Sequence, residues 1–200
     1  TGEFPYDIYR KLGDLGVIGM TFPREVGGTG ADFLSFCLAV EEIGREDSGF
    51  GPTLTAQISV CRSILRFARE PQRATWIEQY VKPIARGEAT GSTASSEPDR
   101  SSFDTSAMKT VAILDENEYV INGSKMFCTA AGLENNLFVL VSAVTDKAKR
   151  TIDLLLVPKG TPGYTIGRKL PKMGMRSADT RELFFDDCRV PAENLLRVGQ

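Results

Sequence analysis

An α+β fold is predicted for this chain of 200 residues: an N-terminal α-helical domain over residues 1–87, then a small β-barrel or sandwich domain over residues 88–200. Two observations carry the prediction. Up to Gly87 the apolar residues recur at the spacing of a helical face. Beyond Ala89 they fall instead into short β-rich runs separated by turns.

The helical elements follow in order. Phe4, Ile8, Leu12 and Leu15 share one helical face, and Gly16 suits the position after a helix end. Residues 21–30 form a glycine-rich loop, Thr21-Phe22-Pro23-Arg24-Glu25-Val26-Gly27-Gly28-Thr29-Gly30. It lacks the G-x-G-x-x-G order of a phosphate cradle and reads as a structural turn. Asp32 is placed to cap a second helix, with Phe33, Phe36, Cys37, Val40 and Ile43 inward. Gly49-Phe50-Gly51-Pro52 breaks it. A third helix carries Leu54, Ile58, Cys61, Ile64 and Leu65. Pro71 suits the first turn of a fourth, with Trp76, Ile77, Tyr80, Val81 and Ile84 apolar and Gly87 at its end.

The β-rich runs are Lys109 to Leu114 and Tyr119 to Cys128, joined by the hairpin signal Asp115-Glu116-Asn117-Glu118. Further strands are expected over Leu137 to Val144, Ile152 to Val157, Tyr164 to Ile166 and Arg181 to Phe185. About six short strands in a hundred residues suit a small barrel or sandwich.

Composition narrows the function. Apolar residues make up 42% and charged residues 25% of the chain, enough for a real core. A net charge of −2 gives no electrostatic reason to expect nucleic acid. No apolar run approaches the roughly 20 residues that cross a bilayer. The chain has no histidine, which removes Ser-His and Cys-His nucleophiles and argues against a zinc site. Cys37, Cys61, Cys128 and Cys188 form no paired motif and read as free thiols of a reducing compartment.

Two segments draw attention. Ser95-Ser96-Glu97-Pro98 is a small-residue run leading into a proline turn. It suits a closely packed strand end, or the edge of a flat ligand whose heteroatoms meet hydroxyls and free N–H groups. Ile121-Asn122-Gly123-Ser124-Lys125-Met126-Phe127-Cys128-Thr129 follows the hairpin. On an alternating strand, Phe127 and Thr129 point to one face and Met126 and Cys128 to the other. That pair is either core or one wall of a ligand site.

Together these segments resemble the flavin-binding middle domain of the acyl-CoA dehydrogenase family. There a stretch ending in Glu-Pro runs along the flavin, and about thirty residues later a strand Asn-Gly-x-Lys-x-(Trp/Phe)-x-Thr covers its other edge. Two more segments extend the resemblance over nearly the whole chain. One is Leu15-Gly16-Val17-Ile18-Gly19 through Pro23 and Gly27-Gly28-Thr29-Gly30. The other is Lys172-Met173-Gly174-Met175-Arg176-Ser177-Ala178-Asp179-Thr180-Arg181-Glu182-Leu183-Phe184-Phe185-Asp186-Asp187, closed by Val190-Pro191. Four motifs in this order are far more specific than any one of them.

The resemblance implies FAD as cofactor, bound through Ser95, Ser96, Ser102, Phe127, Cys128 and Thr129. Ser96 stands where the family bonds a ring carbonyl, Ser102 where it bonds the pyrophosphate, Phe127 where an aromatic packs on the isoalloxazine, and Thr129 where a hydroxyl bonds N5. The implied reaction is α-proton abstraction from an acyl-CoA or acyl-carrier thioester with β-hydride transfer to flavin N5. In the family the base belongs to a third, helical domain, so Glu97 is not taken for it and no base is assigned here. Further implications are electron-transfer flavoprotein or a similar acceptor as partner, a homo-oligomer (tetramer or dimer) when full length, and a role in fatty acid metabolism. The setting expected is cytoplasmic, or the mitochondrial matrix in a eukaryote. The family's Glu-Pro-x-x-Gly-Ser-Asp differs here, with Ser101 for the glycine and Phe103 for the aspartate. That departure points to an unusual substrate or a degenerate site. Two alternatives stay open on the same fold: a flavin-dependent monooxygenase, and a non-catalytic binding protein, the latter hinted at by Ser101 and Phe103.

Overall fold

The computed structural model describes residues 2–99 and 107–197. Helices α1 (Tyr6–Asp14), α2 (Phe33–Glu46) and α3 (Phe50–Phe67) lead into a continuous helical stretch. That stretch comprises α4 (Gln72–Trp76), a π-helical turn (Ile77–Val81) and α5 (Lys82–Ala85). Eight strands follow: β1 (Thr90–Ala94), β2 (Val111–Asp115), β3 (Glu118–Thr129), β4 (Asn136–Asp146), β5 (Thr151–Pro158), β6 (Tyr164–Lys169), β7 (Thr180–Pro191) and β8 (Leu195–Leu196). Among the described residues no helix is long and apolar enough to cross a membrane.

Local chemistry sets several boundaries as the sequence suggests. Ser35 N–H donates to Asp32 Oδ1 at 2.7 Å and caps α2. The apolar stripe of α3 is buried along Leu54, Ile58, Cys61 and Ile64. Glu116 takes a φ of 54° in the tight turn between β2 and β3, where Asp115 pairs with Glu118. In the glycine-rich loop, Gly28 N–H donates to Pro23 O and Gly30 N–H to Phe22 O. Those groups are spent within the turn rather than presented to a phosphate.

The inner faces of the first two helices differ from expectation. Ile8 on α1 and Leu15 just past its end are 48% and 75% exposed, while Tyr9 and Gly13 are buried. Tyr9 Oη donates to Ala89 O at 2.9 Å, and Gly13 sits so close that a Cβ would lie 2.2 Å from Arg86 O. A hydrogen bond and a close backbone approach orient this helix, and hydropathy reports neither. On α2, Phe33 and Cys37 are exposed, Phe36 is buried, and Val40 and Ile43 are partly buried. Its first turns are apolar nearly all round, so spacing alone does not select a face.

The strands form one eight-stranded mixed sheet in the order β6-β7-β3-β2-β4-β5-β8, with β1 paired to β4. It is an open sheet among the described residues, where a closed barrel was one expectation. β1 and β2 both run parallel to β4, β1 alongside residues 136–141 and β2 meeting it at Val144. β4 explains the continuous apolar run in its sequence. Phe138 and Leu140 join the core shared with the helices, whereas Val139, Val141 and Ala143 join a second core on the opposite face. A strand buried on both faces has no polar side to alternate with.

The helical and sheet regions are also joined by polar contacts. Asp47 Oδ1 accepts from Gly49 N–H at 2.8 Å and from Ser177 Oγ at 2.6 Å. Gln57, buried on α3, accepts from Gly91 N–H at 2.7 Å and thereby holds β1 against the helix.

Candidate functional site

A groove of about 410 Å³ opens between the start of α3, the end of β3 and the segment before β7. Phe127, Thr129, Pro52, Lys172, Met175 and Thr180 are among the residues that line it. β3 presents the first two through an irregularity. Its register against β7 shifts between Lys125 and Cys128, and Phe127 takes a φ of 59° within that bulge. A non-glycine residue in this conformation costs about 1–3 kcal/mol and is found where surrounding structure enforces it. The result is a phenyl ring 62% exposed on the groove, while Cys128 next to it is buried in the sheet core. Phe127 and Thr129 therefore share the open side, as the strand pattern suggests.

Thr129 is held from two directions. Its carbonyl accepts from Ser92 Oγ at 2.7 Å, and it stands opposite Thr180 on β7. The turn that follows is clamped by Asp179. Asp179 O accepts from Ala130 N–H, and its carboxylate accepts from Gly132 N–H at 2.8 Å and pairs with Arg181 at 3.0 Å. Lys172 Nζ donates to Ala178 O at 2.8 Å and to Thr180 Oγ1 at 2.7 Å. Burial, assisted by neighbouring Lys169, lowers its pKa from the ordinary lysine value.

Behind the bulge lies a sealed ion pair. Glu97 Oε1 is 3.0 Å from Lys125 Nζ, and the Glu97 carboxylate also accepts from Lys109 N–H at 2.8 Å and Thr110 N–H at 2.9 Å. Burial works against its charge, yet hydrogen bonds from Thr110, Lys109 and Lys125 hold the carboxyl down at about 2. A carboxylate so committed is a structural anion, in keeping with the reading that Glu97 is no base.

The other residues singled out by sequence fall at different depths. Ser96 O accepts from Met126 N–H at 2.9 Å, joining the segment after β1 to β3 one residue before Phe127. Ser95 Oγ lies 2.9 Å from Ser142 Oγ. The thiol of Cys128 faces the core, where burial pushes it up to about 12, so this side chain does not line the groove. Ser102, with Ser101 and Phe103, lies outside the described residues. Sequence reasoning did not single out Lys172, Thr180 or Pro52 as groove residues. The first two lie in the quoted closing motif, and Pro52 read only as a helix breaker.

A larger cleft of about 830 Å³ lies on the other side of Gly174 and Met175, against α1 and α2. It carries the carboxylates of Glu42, Glu46 and Asp47. The smaller groove, with an exposed ring, a hydroxyl and an ammonium on its walls, has the donor set that suits a flat, polar-edged aromatic ligand.

Comparison with known proteins gives the same family over both regions. Residues 1–88 match the acyl-CoA dehydrogenase N-terminal domain, and residues 92–188 match the acyl-CoA dehydrogenase middle domain. The probable acyl-CoA dehydrogenase YngJ of Bacillus subtilis is 42% identical over 200 residues, covering 98% of this chain and 51% of that protein. Butyryl-CoA dehydrogenase from Megasphaera elsdenii superposes with a TM-score of 0.85 at 35% identity, over 99% of this chain and 52% of the other. A glutaryl-CoA dehydrogenase from Mycobacterium smegmatis, solved in complex with FADH2, does so with a TM-score of 0.87 at 32% identity, over 99% and 49%. The chain spans about half the length of the curated relatives it matches. With residues 1–88 and 92–188 matched to its N-terminal and middle domains, the chain belongs to the acyl-CoA dehydrogenase family.

Proposed function

We propose that this chain supplies the hydride-accepting half of an FAD-dependent dehydrogenase acting on acyl-CoA or acyl-carrier thioesters. Residues 1–87 serve as its helical domain and residues 88–200 as its flavin- and thioester-binding domain. The observation that carries the reading is Phe127. An aromatic ring 62% exposed on a strained backbone, beside a hydroxyl in a groove, is costly for a free surface and useful under a flat ring. The glutaryl-CoA dehydrogenase solved with FADH2 supports the same cofactor.

In this reading Phe127 packs on the ring, Thr129 donates to N5, and Ser95 and Ser96 serve the pyrimidine edge. Ser102 serves the pyrophosphate, and Cys128 contributes through its main chain. When bound, the flavin supplies the acceptor for hydride leaving the thioester's β-carbon. The bulge and the Asp179 clamp hold Thr129 in place before substrate arrives, the kind of preorganisation that makes a donor effective at developing charge. The reoxidising partner is electron-transfer flavoprotein or a similar acceptor, and the working protein is a homo-oligomer of the cytoplasm or mitochondrial matrix.

Visible absorbance of the full-length protein tests this directly. FAD uptake with a resolved flavin spectrum is expected, followed by bleaching with one member of a thioester panel. A folded protein that takes up no FAD sinks the proposal.

A further inference from the structure

We infer that Lys172 is a functional residue of the groove, placing positive charge beside the bound ring and so favouring its reduction. The inference rests on the flavin reading above and deepens it.

Three observations converge on this lysine. It lines the groove together with Phe127 and Thr129, and among the described residues none lining that groove is acidic. Its ammonium is fixed by two neutral oxygens, Ala178 O at 2.8 Å and Thr180 Oγ1 at 2.7 Å, so its hydrogen bonds position the charge without cancelling it. Thr180 is the cross-strand partner of Thr129, which ties the ammonium to the strand that carries the hydroxyl. The nearest acid in sequence, Asp179, is committed elsewhere, to Arg181 and to Gly132 N–H.

The electrostatics around the lysine support the same role. Partial burial and Lys169 disfavour its charged form in the protein alone and outweigh the opposing pull of Asp179. Lys169 and Arg176 share a second hollow with it on the far side, which adds cations rather than anions. A ring that gains electron density in the groove adds counter-charge to the partial compensation that Asp179 supplies. Charge in such a partly enclosed site is screened less than in bulk water. By linkage, a lysine that stabilises the reduced ring more than the oxidised one raises the midpoint potential of the bound flavin.

The test is the midpoint potential of bound flavin in the full-length protein, compared among Lys172→Met, Lys172→Gln and Lys172→Arg. Gln keeps a hydrogen-bond donor without the charge, so it separates electrostatics from loop stapling and serves if Met fails to fold. The potential of both neutral variants is expected to move negative, corresponding to about a tenfold loss in the preference for reduced over oxidised flavin. Arg is expected to remain near the parent. Flavin bound at the parent potential in either neutral variant overturns the inference while leaving the flavin reading intact. A parent protein that binds no flavin overturns both.

Discussion

Lys125 and Glu97 face each other at 3.0 Å with side chains 0% and 3% exposed, so two sequence motifs about thirty residues apart meet as one buried ion pair. The Glu of Glu97-Pro98 and the Lys of Asn122-Gly123-Ser124-Lys125 are partners, and Lys125 borders the bulge that turns Phe127 outward. Lys125→Met removes the Lys125 ammonium from a buried carboxylate. A loss of about 3–5 kcal/mol is expected, read by chemical denaturation. A change within error of zero removes the pair from the list of elements that support the bulge.

The same carboxylate sets a pH signature. Its folded value of about 2 lies below the ordinary 4.5. The folded chain therefore binds this proton less readily than the unfolded chain does. Stability from Glu97 is complete above pH 4.5 and drains as pH falls toward about 2. Denaturation midpoints measured from pH 6 downward are expected to fall in that window, and Glu97→Gln is expected to flatten part of the fall while lowering stability at neutral pH.

Gly49 packs where no side chain fits. An added Cβ would lie 2.2 Å from Ser177 Oγ and 2.9 Å from the Met175 carbonyl carbon. Gly49→Ala must displace the segment that separates the two clefts and break the Asp47–Ser177 contact. Destabilisation of about 1–3 kcal/mol is expected, visible as a lower melting temperature. An unchanged melting point would show that the segment yields freely.

Phe127 offers a test in which stability and binding move apart. Its φ of 59° suits glycine, and its ring is mostly exposed, so Phe127→Gly removes strain and little packing. The ligand-free protein is expected to melt at or above the parent temperature, while FAD affinity falls about tenfold or more through lost stacking. Unaltered FAD affinity in titration would take Phe127 out of the site.

Legibility in the sequence followed the physics of each element. The stripe of α3 and the β2–β3 hairpin were readable because local rules determine them. The face of α1 was not, since Tyr9 answers to Ala89 and Gly13 to Arg86, contacts made across more than 70 residues of chain, and that of α2 was not because its first turns are apolar nearly all round. β1 escaped the strand reading because Thr90-Gly91-Ser92-Thr93-Ala94 has no apolar alternation, and pairing with β4 makes it a strand. At the groove, Phe127 and Thr129 were legible by motif resemblance. The bulge beneath them was not, because a period-2 pattern carries no signal for one extra residue. Lys172 and Thr180 reach the groove only through strand register and the path of the segment before β7.

Thr129 decides whether the groove takes part in chemistry. If its hydroxyl donates to flavin N5, Thr129→Val removes the donor at nearly constant shape. Flavin reduction by saturating thioester is then expected to slow about 10²-fold or more in stopped-flow, with Thr129→Ser largely preserving the rate. The two variants also separate this role from a packing role. Valine is favoured on a strand, and Thr129 is only partly buried opposite Thr180, so the Val protein is expected to fold and melt like the parent. A slow Val variant of parental stability therefore reports lost hydrogen bonding at the ring. A Val variant that reduces flavin at the parental rate leaves Thr129 as a strand residue and moves the N5 donor to another group of the groove.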